Sequence, residues 1–323
     1  MKRYQTRVPG SIQKDRLDLF IAQWLPHATG RAISKTQVRT LILSGSVYIN
    51  RHRNKIGTTQ IFSGAMIEVY FDEEKLDRDQ PSRMSDTRMD AESIVYEDEH
   101  LIVLNKPSGL PTQPTLDPNR ANLYDLLKRM LAHREKVENH YVGLHHRLDK
   151  DTSGLILFTK KEVANKGVSE LFSQHLIQKT YQCLCWRSPE GRDFTVGEEF
   201  RVENYLGKVA DSAGKAKYGQ VNSGGDLAIT DFSVSEVFRD MFWLRARPKT
   251  GRTHQIRVHA SEFHIPILGD ALYFPEKIAA FVSAPRLMLH ASELVFIHPI
   301  TREKVELSVP LPTEFVEVLG QLK

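Results

Sequence analysis

The chain has 323 residues, 41% of them hydrophobic and 26% charged, which fits a globular protein with a sizeable core and argues against intrinsic disorder. Its net charge is a modest +4, and no apolar run approaches the ~20 residues that span a bilayer, so no membrane association is expected. The basic start MKRYQTRVPG lacks the apolar core of a secretory signal, and two cysteines, Cys183 and Cys185, supply neither a disulfide framework nor a zinc site; a reducing, cytoplasmic setting is expected.

The charge is unevenly spread. Residues 1–71 hold eleven Lys/Arg against three Asp/Glu, a net of +8, which leaves −4 for residues 72–323. A basic module on a mildly acidic body suits a polyanionic partner; a basic surface kept for solubility is the competing reading. In this module RLDLFIAQWL sets Leu17, Phe20, Ile21 and Leu25 at helical spacing. ISKTQVRTLILSG repeats the pattern with Ile33, Val38, Leu41 and Ile42, and Gly45 marks a helix stop. Strands SVYIN and MIEVYF follow. Arg31, Lys35 and Arg39 along the second helix make a face suited to phosphates. Over residues 1–71 this pattern resembles the S4 RNA-binding domain, which implies that these three residues contact RNA. Residues 72–92 (DEEKLDRDQPSRMSDTRMDAE) are polar and mixed in charge, and read as a linker.

Residues 93–323 form the second expected domain. SIVYEDEHLIVLNKPSGL reads as two strands about an acidic turn, and NLYDLLKRMLAHR as a helix with Leu123, Leu126, Leu127 and Met130 on one face. LILFTK, KTYQCLCW, DFSVSEVF and MFWLRARP read as strands, and residues 253–263 as a helix capped by Thr253. Strands outnumber helices without regular alternation, so the expected class is α+β, on a large mixed and mainly antiparallel sheet.

Three clusters carry chemistry. In HHRLDKDTSG, residues 145–154, Asp149 and Asp151 share a turn with Arg147 and Lys150; a salt-bridged surface turn competes with a reactive site. In RPKTGRTHQIRVHASEFH, Arg252 precedes the expected helix and Arg257 lies within it. His254, His259 and His264 are five apart, not on one helical face, and no Cys lies among them, so no metal site is expected. In QKTYQC, Lys179 and Tyr181 alternate on a strand and point the same way.

Together these clusters resemble the RluA family of pseudouridine synthases. HRLDxxTSG stands complete at residues 146–154, and GRTHQIRVH, IPILGDALY, RLMLHA, KTY and LNKPSGL follow the family pattern across residues 93–310. The resemblance implies isomerisation of uridine in RNA, ribosomal RNA of the 23S type ahead of transfer RNA, with no cofactor and no obligate protein partner. It puts the catalytic carboxylate on Asp149, the active-site tyrosine on Tyr181 and the paired arginine on Arg257. It puts Arg147 where the flipped base leaves its helix, with His146 and Arg252 as further substrate contacts, and makes Asp151 a turn residue. A guanidinium beside Asp149 would favour the ionised carboxylate that the reaction needs. A non-catalytic RNA-binding or assembly factor on the same fold is the alternative. A metal-dependent RNA hydrolase would need clustered carboxylates that are missing from these motifs.

Overall fold

The computed structural model describes residues 2–31, 33–43, 45–71, 91–115, 120–210, 216–275 and 284–322. The expected linker therefore lies, except for residues 91 and 92, outside the described residues. The chain divides into two compact units: Met1–Thr87 with Pro114–Ala121, and Arg88–Gln113 with Asn122–Lys323.

In the first unit the apolar stripe drives the helices. Helix α1 (Leu17–Thr29) buries Leu17, Phe20, Ile21 and Leu25, and α2 (Lys35–Leu43) buries Val38, Leu41 and Ile42 in the same core. At about 1.5–3 kcal/mol per fully buried side chain, that stripe decides the fold of so small a unit. Helix α1 stops at Gly30, whose left-handed backbone (φ 70°) lets its N–H reach the Pro26 carbonyl at 2.9 Å. Strands β1 (Lys2–Arg7), β3 (Val47–Ile49), β4 (His52–Asn54) and β6 (Met66–Phe71) form an antiparallel sheet in the order β1-β6-β3-β4; β2 (Lys14–Arg16) pairs with β5 (Gln60–Phe62). Strand β1 was not anticipated. Its alternation is polar and basic, and it exists by pairing with β6.

The second unit is built on an eleven-stranded mixed sheet, as its class predicts. Its elements are β7 (Ile94–Glu97), β8 (Leu101–Lys106), α3 (Leu123–Glu135), β9 (Gly143–Leu144), β10 (Ser153–Thr159), α4 (Asn165–Ser173), β11 (Gln178–Trp186), β12 (Glu199–Ala210), β13 (Ala216–Gln220), β14 (Asp226–Val237), β15 (Met241–Pro248), α5 (Gln255–Glu262), β16 (Leu289–Ile297), β17 (Lys304–Ser308) and α6 (Thr313–Leu322). The main path runs β13-β12-β14-β15-β11-β16-β10-β8-β7, with β17 on β16 and β9 on β10. Strands β8 and β10 are buried at nearly every position, around the apolar runs LIVL and LILF, because both faces are covered. Ile102, Leu104, Ile156 and Phe158 enter the core that holds Leu123, Leu127 and Leu131 of α3. Leu101, Val103, Leu155 and Leu157 enter the core that holds Val168 of α4.

Among the described residues only β10 and β16 pair in parallel, with Ser153 opposite His290 and Gly154 opposite Ala291. At Gly154 (φ 111°) a Cβ would overlap the Ala291 carbonyl oxygen, so the glycine of the TSG turn is what lets the two backbones meet. Strands β12, β13, β16 and β17 and helices α4 and α6 were not foreseen. One expectation needs correction: α5 begins at Gln255, not Thr253. His254 takes the left-handed N-cap position (φ 57°) with no side-chain cap. The loop is knitted instead by the Gln255 amide, which accepts from Thr250 Oγ1 (2.7 Å) and the Arg252 N–H (3.0 Å) and donates to the Ile229 carbonyl (2.9 Å). Among the described residues no helix is long and apolar enough to cross a membrane.

Candidate active site

The HHRLDKDTSG loop is held from beneath by the loop that follows β8. Lys106 is fully buried, and its ammonium donates to the carbonyls of Pro107 (2.9 Å), Leu110 (2.8 Å) and Lys150 (2.9 Å). Burial pulls its pKa down to about 7 against the Asp151 and Asp149 charges, yet three acceptors match the three N–H bonds of the charged form. Thr112 donates to the Leu148 carbonyl (2.8 Å) and accepts from the Leu148 N–H (3.2 Å). Ser108 donates to the Asp151 carbonyl (2.7 Å), and the Thr152 N–H closes the turn onto the Asp149 carbonyl (3.2 Å). At the far end Ser153 Oγ accepts from Arg286 (3.0 Å) and is hydrogen-bonded with His290 Nδ1 (2.8 Å), a ring kept neutral by burial, with its pKa down to about 4. The LNKPSGL and RLMLHA motifs thus fix the backbone on either side of Asp149.

Asp149 meets Arg257 of α5 across the site: Nη1 donates to its Oδ2 at 3.1 Å. Arg257 is itself clamped by Asp270, with Nε to Oδ2 at 2.7 Å and Nη2 to Oδ1 at 2.8 Å. Burial opposes the guanidinium charge, but Asp270 and then Asp149 more than offset it, and its pKa is raised. Asp270 is buried and also accepts from the Leu272 N–H (2.9 Å) and the Tyr273 N–H (3.2 Å). Arg257 lies over the Tyr273 ring, 5.2 Å from its centroid. Tyr273 Oη accepts from the Tyr218 N–H (3.1 Å) and stands 2.9 Å from His254 Nδ1. The other ring nitrogen, His254 Nε2, lies 3.8 Å from Asp149 Oδ2. Burial lowers the His254 pKa against the pull of Asp149.

A cavity of about 640 Å³ opens at this pair, walled by His146, Asp149, Lys179, Tyr181, Arg252 and Arg257 among others. Tyr181 is buried on its wall, and burial together with the Asp149 charge raises its pKa, so the phenol stays protonated. Arg147 is exposed and lines this cavity and a smaller one of about 220 Å³ that shares Asp149, His254 and Arg257. Arg252 donates through Nε to the Leu227 carbonyl (3.0 Å). His146 accepts the Leu157 N–H at Nε2 (2.9 Å) and stacks on Phe172, with ring centroids 4.4 Å apart. Burial, then Lys179 and His145, bring its pKa down to about 3, so it is neutral. Asp151 pairs with Lys150 at 3.5 Å.

The structure therefore brings together Asp149, Tyr181, Arg257, Arg147, His146 and Arg252. Arg31, Lys35 and Arg39 belong to the other unit, where each is exposed; Lys35 and Arg39 lie on α2, but Arg31, expected along that helix, precedes it. Sequence reasoning passed over Asp270, His254, Lys106, Thr112 and Arg286. Asp270 had a signal: an acid inside the apolar run IPILGDALY needs a buried partner. Among the described residues, no group of three or more His, Cys, Asp or Glu side chains is placed to hold a metal ion.

Comparison with known proteins gives a consistent picture. The profile of a family described as RNA pseudouridylate synthase matches residues 100–262. The ribosomal large subunit pseudouridine synthase D of Haemophilus influenzae is 32% identical over 327 residues, covering 95% of this chain and 91% of that protein. The ribosomal large subunit pseudouridine synthase C of Vibrio cholerae is 28% identical, covering 95% and 93%. Among solved structures, human RNA Pseudouridylate Synthase Domain Containing 4 aligns with a TM-score of 0.56 at 24% identity, over 72% of this chain and 93% of that one, a likeness of fold.

Proposed function

The chain belongs to the RluA family of RNA pseudouridine synthases, and from that premise we propose that its substrate is large-subunit ribosomal RNA and that Asp149 is the reacting carboxylate. The observation that carries the assignment of Asp149 is its 3.1 Å contact with a buried, doubly anchored Arg257 on the wall of a cavity large enough for a nucleoside. The isomerisation breaks the C1′–N1 bond, turns the detached uracil and rejoins it through C5, with no net redox change and no group donor. Asp149 attacks C1′ or removes a ribose proton; each role needs an ionised carboxylate. Tyr181, kept as the neutral phenol, offers its face to the uracil and its hydroxyl to the neighbourhood of the departing C5 proton. Arg147, exposed at the mouth, fills the gap that the flipped base leaves, where unstacking costs a few kcal/mol, on the order of 2–4. Arg252 holds a phosphate, and neutral His146 shapes the wall that the substrate meets.

The test is tritium release from ribosomal RNA labelled at uridine C5, with purified protein and no added cofactor. Release is expected. Release from transfer RNA alone would redirect the substrate, and none from either would favour the non-catalytic alternative.

For residues 1–71 we propose an S4-like RNA-binding role through Arg31, Lys35 and Arg39. Replacing Lys35 and Arg39 together by Gln is expected to weaken RNA binding and flatten its salt dependence. The slope of log K against log salt should fall by about 0.7–0.9 for each phosphate that the variant no longer neutralises. Binding measured from low to moderate salt checks this, and an unchanged slope would refute it.

A further inference from the structure

Lys179 is the one cation on the cavity wall that the scheme above leaves without a task. It lies two residues before Tyr181 on β11, so both side chains leave the same face of the strand and line the same cavity. Its Nζ reaches the loop between β15 and α5, 3.9 Å from where a Cβ on Gly251 would stand. Among the described residues its ammonium has no hydrogen-bond or ion-pair partner, although Arg257, Lys106 and Arg252 around the same site are all paired. Burial lowers its pKa, with no neighbouring carboxylate to oppose it. A half-buried ammonium without a partner costs stability and is retained only where something else is gained.

Resting on the reading above, we propose that Lys179 is a catalytic residue that donates to a uracil carbonyl oxygen and takes up the negative charge of the base as the C1′–N1 bond breaks. The electrons balance within the substrate. The bonding pair leaves with N1 and spreads over the ring and its carbonyl oxygens, beside the ammonium. It returns to carbon when C5 bonds to C1′, C5 gives up its proton, and N1 gains one. Lys179 stays protonated throughout. A phosphate contact is the other use of a lysine, but such contacts are made by hydrated side chains at a rim. Arg147 is exposed there, whereas Lys179 is half-buried on the cavity wall that also holds Tyr181. A donor in a water-poor site acts most strongly on charge that develops during the reaction.

The test uses the full chain, with Lys179→Met and Lys179→Arg compared against wild type. Single-turnover tritium release from C5-labelled ribosomal RNA, RNA affinity at two salt concentrations and the thermal midpoint are measured. Lys179→Met is expected to slow the single-turnover rate by about 10²–10³-fold. RNA affinity and its salt slope should hold, and the thermal midpoint should be unchanged or higher, since an unpaired charge has been removed. Lys179→Arg should recover part of the rate. An unchanged rate would overturn the proposal. So would a loss confined to affinity with a smaller salt slope, which marks a phosphate contact, or a lowered midpoint with equal loss in both variants, which marks a structural role. Wild-type protein that releases no tritium would overturn the substrate reading, and the proposal with it; an active wild type separates the two.

Discussion

Asp149→Asn is expected to reduce the single-turnover rate of tritium release by on the order of 10⁴-fold, as the loss of a reacting group does in other enzymes. The substitution keeps the shape of the side chain and an oxygen able to accept from Arg257 Nη1. What it removes is the charge and the lone-pair basicity that either route to C1′–N1 cleavage requires. The fold should not notice. Arg257 keeps its two bonds to Asp270 at 2.7 and 2.8 Å, so no buried guanidinium is stranded. The loop keeps Lys106, Ser108 and Thr112 beneath it. The thermal midpoint should therefore stay within about 2 °C of wild type, the scale of a change under 1 kcal/mol. Asp151→Asn is the internal control. Its carboxylate is half-exposed and, among the described residues, pairs only with Lys150, an arrangement worth little, so its rate should match wild type. Asp149→Asn protein that keeps more than about a tenth of the rate would remove Asp149 from the chemistry.

The motifs that carry local chemistry were readable from the chain; their mutual support was not. HHRLDKDTSG, KTY and GRTHQIRVH each announce a charged or aromatic group at a strand or helix edge, and the structure brings Asp149, Tyr181 and Arg257 to one cavity. The stripe Leu17, Phe20, Ile21, Leu25 and the runs LIVL and LILF likewise betray their burial, because periodicity is a local signal. Lys106 reads as a surface lysine at a strand end, and only the return of the chain forty-four residues later gives it the Lys150 carbonyl. His254 reads as an ordinary helical residue, but the Gln255 amide, bound to β14, delays the helix and turns His254 into a left-handed cap. Strand β12 carries Arg, Glu, Asn and Lys along its length, and pairing with β13 and β14 makes it a strand. In each case a partner distant in sequence outweighs the local preference.

Asp270→Ala should damage stability and catalysis together. The carboxylate is buried and receives two bonds from Arg257 and one each from the Leu272 and Tyr273 N–H groups. Its removal leaves a guanidinium that is only 9% exposed with one acceptor, Asp149. Breaking a buried pair in this one-sided way costs about 3–5 kcal/mol. On a unit of this size, that corresponds to roughly a 6–20 °C fall in Tm. Below that midpoint the rate should still fall, by about 10²-fold, because Arg257 would no longer be held in place beside Asp149. Asp270→Asn separates the two effects: its amide oxygen still accepts one guanidinium bond, so stability should fall less while the rate loss persists. Replacing both partners, Arg257→Met with Asp270→Met, should restore much of the lost Tm, since neither charge is then stranded, and should leave the enzyme inactive. If Asp270→Ala melts and turns over like wild type, the guanidinium is held by something other than this carboxylate. If the double replacement is active, Asp149 needs no guanidinium. Either result would break the chain of contacts from Asp270 through Arg257 to Asp149 on which the assignment of the site depends.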